Sequence, residues 1–429
     1  MCELIKMLEA SQLKPFIRRV QVTPEPSCIV ASDRQLNDLV RFRTTQFLPA
    51  SVLCIDTTFN IGNFFVTPTT YKHKILVDRQ YGKEPTLLGL TMIHMQTKAE
   101  SYNFFGSSIV SLDDELSNIL AIGSDRDVAL RKGFSSCFPI ATELCCKGHL
   151  EQDIRRTMRD LGIGQFHEKF FLEDVFGSEA KKELGLVDAV SRDEFDVVLE
   201  SKRELEARQL TSEESTEFYS YFVNYVTEDM KSMMIASVRK KTAFDDSFFY
   251  NNDPESMNNR IKTRIEKKRL SWPECVQQLK EMSEEQERNI NRALINEGPY
   301  RFRPECRRLI IPAEKWLGMS KEQKERKLKE FQKIPLSKAF GVSTSATISS
   351  TSSILEAATE KKPSSGKKPG QSGRRGGRRS LSSPRDTTGF RPRITVTEEH
   401  SSGARDTTKG NSQRLAVIYA YRYEWVPRA

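Results

Sequence analysis

SVLCIDTTFNIG, residues 51–62, carries four apolar residues, Val52 to Ile55, followed at once by an acid, Asp56. An apolar run this short, bounded by a turn signal, reads as a buried strand. The acid at its end puts a carboxylate where the chain leaves the sheet. Working outward, NFFVTPTT follows a turn at Ile61-Gly62 and predicts the second arm of a hairpin. YKHKILV and TLLGLTMIHM are further strand candidates, and ESYNFFGSSIVSL has helical spacing. ILAIGSD is a second apolar run that ends in an acid, Asp125. VALRKGFSSCF reads as a helix stopped before Pro139, and ATELCC as a last short strand. Strands followed by helix, strand, helix and strand predict an α/β fold with a mixed sheet rather than a chain of βαβ repeats.

The flanks differ in character. Residues 1–50 show no strong period and read as a leader, with one helix near Asp33–Phe47. Residues 51–150 form the first part of the core. Residues 151–250 are polar, amphipathic and helical in period, with no convincing strand. Residues 251–335 continue as helices that complete the core; Ser271 before Trp272-Pro273 is a good helix start. Residues 336–429 are rich in Ser, Gly, Pro, Lys and Arg, a composition that predicts a disordered basic tail.

Of 429 residues, 37% are hydrophobic and 29% charged, enough apolar content for a core under a polar surface. The net charge of +9 favours an anionic partner, of which nucleic acid is the commonest. Charge alone leaves acidic proteins and anionic lipid open. No run is long and apolar enough to span a membrane, and the N-terminus lacks a signal-peptide pattern. The eight cysteines are scattered without a CxxC pair, which suits a reducing, intracellular setting.

Acids leaving the ends of neighbouring strands can converge, and a divalent cation between them relieves their repulsion. Mg²⁺ or Mn²⁺, which take oxygen ligands, serve phosphate chemistry in this way. Asp56 and Asp125 are the candidate pair, and Glu255 in NNDPESMNNRIK, in the first turn of a helix, is the candidate third acid; Glu266 and Glu274 compete with it. Each has a plain alternative. Aspartates at strand ends are favoured by turns, and a glutamate in a first turn complements the helix dipole. Asp113, Asp114 and Asp127 read as surface acids.

Several blocks resemble, in order, the transposase domain of Mutator-like elements, a DDE-type family. LCIDTTFNIGNFFVTP resembles its first-Asp strand and hairpin. TLLGLTMIHMQTKAESYNFF resembles the following strand and first helix. IGSDRDVALRKGFSSCFPIATELCCKGHL resembles its second-Asp block with a Cys-x-x-His, here Cys146 and His149. NDPESMNNRIK resembles the Glu-bearing helix after a helical insertion. The resemblance covers residues 51–265. It implies an RNase H-like mixed sheet flanked by helices and interrupted by an all-helical insertion. It also implies Asp56, Asp125 and Glu255 as ligands of a two-metal site for DNA cleavage and strand transfer. The implied partners are transposon ends, target DNA and a second copy of the chain, and the implied location is nuclear. Cys146 and His149 would support the site; half a zinc site is the other reading, without a second ligand pair of suitable spacing.

Lys262, Arg264, Lys267, Lys268 and Arg269 follow Glu255 and could contact a DNA backbone, or form a plain exposed face. Arg374, Arg375, Arg378 and Arg379 in the tail could contact phosphates, act as a nuclear localisation signal or belong to a solvated linker. The family's zinc-binding recognition domain is not visible, as expected of a fragment, a decayed copy or a host-recruited derivative. A catalytically inactive DNA-binding or regulatory protein is therefore the alternative function.

Overall fold

The computed structural model describes residues 16–42, 51–58, 63–178, 180–181, 183–206, 212–242, 248–265, 269–341, 390–395 and 422–427. The strands are β1 (Ile17–Gln21), β2 (Ser27–Val30), β3 (Leu53–Ile55), β4 (Phe65–Lys72), β5 (Leu76–Asp78), β6 (Thr86–His94), β7 (Ala121–Ser124), β8 (Thr142–Cys145) and β9 (Tyr300–Phe302). Seven of them form one sheet in the order β1-β2-β6-β4-β3-β7-β8. The β3, β7 and β8 strands run parallel, and every other pairing is antiparallel. The fold is thus α/β with a mixed sheet flanked by helices.

The helices are α1 (Asp33–Phe42), α2 (Ala99–Leu112), α3 (Val128–Phe134), α4 (Lys147–Asp160), α5 (Gln165–Phe176), α6 (Arg192–Glu206), α7 (Ser212–Tyr225), α8 (Thr227–Met233), α9 (Ala236–Lys240), α10 (Asn252–Arg264), α11 (Trp272–Arg292), α12 (Ala313–Leu317), α13 (Lys321–Lys333) and α14 (Leu336–Phe340). Between β8 and α10 the described residues contain no named strand, as their helical period predicts. Strand alternation divides the core. Leu53, Ile55 and Ile122 join one apolar cluster with Phe105 and Phe134 of α2 and α3, whereas Val52, Cys54 and Ala121 point the other way, into a cluster with α4, α5, α7 and α8. Met257 and Ile261 of α10 and Val276 and Leu279 of α11 cover Cys28, Val66 and Leu88 in a third cluster.

Pro68 sits inside β4, a strand paired on both sides, which proline's missing N–H would normally forbid. It is accommodated because the register to β6 shifts between Pro68 and Thr70 and the ladder to β3 ends at Ile55–Thr69, one step earlier.

Several expectations change. Residues 16–42 are more than a leader: β1 and β2 extend the sheet beyond β6, and the expected helix runs over Asp33–Phe42, residues 43–50 lying outside the described residues. YKHKILV is not one strand. It ends β4, turns at buried His73 and Ile75, and opens β5, which pairs with β9 in a separate two-stranded sheet. Ser271 does start a helix, and the Glu274 carboxylate accepts from the Ser271 N–H (2.8 Å) and hydroxyl (2.7 Å). The tail does not begin at residue 336, because Leu336 and Ala339 of α14 are buried in the main cluster. In residues 363–429, a second compact unit, β10 (Phe390–Thr395) and β11 (Arg422–Pro427) form an antiparallel pair. The Ile61-Gly62 turn and the arginine-rich stretch lie outside the described residues. Among the described residues, no helix is long and apolar enough to cross a membrane.

Candidate active site

β3 and β7 are parallel neighbours, with Leu53 opposite Ile122 and Cys54 opposite Gly123. Asp56 and Asp125 keep the same register one step past the strands' ends. Each also continues the face of a residue two positions earlier, Cys54 and Gly123. Both carboxylates therefore leave the carboxyl ends of adjacent parallel strands on one face, the place where α/β sheets bind ligands.

Asp56 feels this placement. Burial, the Asp125 charge and then the Glu255 charge push its carboxyl up from 3.8 to about 6, against the opposing pull of His149 and an Asn258 hydrogen bond. Asp125 is also raised, by burial first. Its Oδ1 accepts from the Asp127 N–H at 3.0 Å, and Asp127 in turn caps α3 by accepting from the Leu130 N–H. Asp127 is exposed, as the sequence suggests of a surface acid, and it also caps a helix.

A buried polar chain anchors the β3 end from behind. His94 Nδ1 lies 2.7 Å from the Gln96 carbonyl and must donate to it, so its Nε2 accepts from the Thr67 hydroxyl at 2.7 Å. Thr67 then accepts from Thr57, and Thr57 from the Tyr102 hydroxyl, each at 2.9 Å. Burial holds His94 down at about 4, consistent with the neutral ring this chain requires.

The third acid arrives on α10. The segment before that helix is pinned by three contacts: the Phe249 carbonyl accepts from the Lys147 N–H (3.0 Å), the Cys146 sulfur accepts from the Asn251 N–H (3.2 Å), and the Phe249 ring lies on Gly123. A Cβ on Gly123 would stand 2.2 Å from Phe249 Cζ. Gly123→Ala is expected to displace that ring and cost about 1–3 kcal/mol, read as a lower midpoint in denaturant. A midpoint equal to wild type would show that the ring contact carries no packing energy.

Glu255 Oε1 lies 2.8 Å from His149 Nε2. The Cys146 sulfur beside it is the main influence raising His149 to about 9. Burial pushes the Cys146 thiol up, but hydrogen bonding to His149 and from Asn251 outweighs it and draws the thiol down. One turn along the same face, Asn258 Nδ2 donates to Asp56 Oδ2 at 2.7 Å. The three acids and the Cys-x-x-His are thus brought into one neighbourhood. Glu255, however, is turned onto His149, and among the described residues no three His, Cys, Asp or Glu side chains are grouped to hold a metal as they stand. The donors are hard oxygens, and partnerless buried amide atoms accompany them: Asn258 Oδ1 and both Oδ1 and Nδ2 of Asn251.

Asp56→Asn is expected to stabilise the protein without divalent cation. A carboxyl raised from 3.8 to about 6 contributes stability that is present below pH 4 and lost as pH rises through 6. At pH 7.5 the asparagine variant should be more stable by roughly 1–3 kcal/mol, at 1.36 kcal/mol per pKa unit, and the gap should close toward pH 4. A variant less stable than wild type at pH 7.5 would contradict a repulsive, buried Asp56.

The basic candidates separate. The Arg264 guanidinium sits on Glu285 (2.8 Å) and Glu281 (3.2 Å) of α11, so its charge is engaged within the molecule. Lys262 is half-buried and Arg269 exposed, while Glu266, Lys267, Lys268, Arg374, Arg375, Arg378 and Arg379 lie outside the described residues. A groove of about 600 Å³ opens beside Glu255, lined by Asn252, Ser256, Asn259, Arg260 and Met282. The helical block after β8 is latched next to Asp125, since Asp229 of α8 binds both Arg126 (2.9 Å) and Arg131 (2.7 Å). In the sequence Asn258 stands only as part of the block in which a Glu precedes Ser and Asn on a helix, with no role assigned to its amide; the Glu-x-x-Asn spacing puts 255 and 258 on one helical face.

Compared with known proteins, the chain matches no family model and no curated protein.

Proposed function

We propose that this chain is the catalytic core of a DDE-type transposase of the Mutator-like kind, with an RNase H-like sheet, acting on DNA by metal-dependent cleavage and strand transfer. The observation that carries the reading is the register match of Asp56 and Asp125 at the ends of β3 and β7. It is supported by the order of elements around them: first-acid strand, hairpin, strand, helix, second-acid strand, helix, strand, helical block, glutamate helix. In this reading Asp56, Asp125 and Glu255 hold Mg²⁺ or Mn²⁺, and the helices between β8 and α10 are the family's insertion. When bound, the cations activate a nucleophilic oxygen and stabilise the leaving oxygen of the phosphodiester. The chain's own residues do the placing. β3 and β7 present two carboxylates, α10 brings Glu255, and His149 with Cys146 fixes where Glu255 rests.

The test is cleavage of labelled duplex DNA by the full chain with Mg²⁺ or Mn²⁺. Cleavage is expected with either ion and none in EDTA. Activity unchanged by Asp56→Ala would sink the proposal. The second reading, an inactive transposase-derived DNA-binding or regulatory protein, draws on Glu255 being held by His149 and on the mutual engagement of Arg264, Glu281 and Glu285. Salt-sensitive DNA binding without cleavage, indifferent to replacement of the acids, would favour it.

A further inference from the structure

We propose that Asn258 is a positioning residue for Asp56: its amide holds one carboxylate oxygen so that the other is presented toward the Asp125 side of the site. This inference rests on the reading of Asp56 as a cation ligand. Four observations carry it. Asn258 Nδ2 donates to Asp56 Oδ2 at 2.7 Å, the hydrogen bond that fixes this side chain among the described residues. Asn258 is only 6% exposed, so the amide is part of the site's wall. It stands one helical turn from Glu255, so α10 reaches two of the acids from a single face. Its Oδ1 is buried without a partner.

The last point separates positioning from simple support. A buried carbonyl left unpaired costs about 1–3 kcal/mol, so the amide is not placed for its own satisfaction. Its donor end orients a carboxylate. Partners that orient ligating carboxylates are worth about 10–100-fold in metal affinity.

The experiment measures Mn²⁺ binding to the full chain by the electron paramagnetic resonance signal of free Mn²⁺, with no DNA present. Asn258→Ala should weaken Mn²⁺ binding about ten-fold. Asn258→Ser, which keeps a small polar group, carries the same expectation if the alanine variant does not fold. Met257→Ala is the structural control: Met257 is buried on the same helix in the third cluster, away from Asp56. It should lower thermal stability more than Asn258→Ala does, yet leave Mn²⁺ affinity within about two-fold. Wild-type affinity in the Asn258 variants, with binding lost in Asp56→Asn, would overturn the positioning role and leave the cation reading standing. Equal weakening by Met257→Ala would reduce Asn258 to a structural part and overturn it too. Unchanged binding in Asp56→Asn would instead remove the cation reading itself.

Discussion

Asp125→Asn is expected to lower divalent-cation-dependent DNA cleavage by about 10³-fold while leaving the chain at least as stable as wild type. The size follows from what the carboxylate would do. A ligand that helps a cation stabilise developing charge is worth several kcal/mol, and each 1.36 kcal/mol is ten-fold in rate. Asparagine retains an oxygen that can accept from the Asp127 N–H, so the turn after β7 survives the substitution. It removes a charge that raises Asp56, so stability near neutral pH should hold or rise. Loss of activity with gain of stability is the signature of a site residue rather than a fold residue. The double variant with Asp56→Asn should lose little beyond either single one, because groups that act as a unit are strongly non-additive. Asp113→Asn, whose carboxylate accepts from the Glu115 N–H (3.0 Å), serves as the control and should leave cleavage unchanged. More than a tenth of wild-type activity in Asp125→Asn would refute the assignment.

Asp56 and Asp125 were legible because both end apolar runs, and the run lengths set their register. The 69-position offset between them is the same offset that pairs Leu53 with Ile122. Glu255 was legible as a candidate, but not its contact with His149, since nothing local says that the start of α4 and the start of α10 meet. Asn258 carries no role in the sequence alone, because an amide announces no chemistry until its partner is known. Arg264 read as a DNA-backbone contact or part of a plain exposed basic face, and its neutralisation depends on Glu281 and Glu285, 17 and 21 positions away on another helix. β1 was missed because IRRVQ places two arginines in an edge strand, where charge is tolerated and alternation is weak. β9 is three residues long, below what a periodic pattern can register.

The same limit hid a buried ionic cluster on α1, where the largest stability effect is expected. Asp38 is fully buried. It accepts from Arg34 Nε (2.9 Å) and the Tyr71 hydroxyl (3.1 Å) on one oxygen and from Arg41 Nη1 (2.9 Å) on the other. Burial alone would raise this carboxyl, but the Arg34 and Arg41 guanidiniums hold it below its ordinary value. Burial is also the main cause that lowers His73 to about 3, so the ring is neutral, and one carboxylate faces two guanidiniums. The guanidiniums are partly met by aromatic faces: Arg34 lies 5.0 Å from the Phe331 ring and Arg41 5.0 Å from Phe42. Arg41 also donates to the carbonyls of Gln332 (3.0 Å) and Ile334 (3.1 Å), tying α1 to the end of α13. Asp38→Asn would strand two buried positive charges, and breaking such a set by removing one partner costs about 3–5 kcal/mol. Because the native carboxyl is depressed, its stabilisation is present above the unfolded pKa and lost as pH falls through the folded one. Wild type should therefore lose stability in acid, and Asp38→Asn should lack that portion of the loss. Adding Arg34→Met to Asp38→Asn removes one stranded charge and should recover part of the deficit, a coupling expected of groups in direct contact. Denaturant titration at pH 7.5 and at pH values below 3.8 reads wild type and both variants; a deficit for Asp38→Asn at pH 7.5 below about 1 kcal/mol, the range of an exposed pair, would show that the cluster is not desolvated as described.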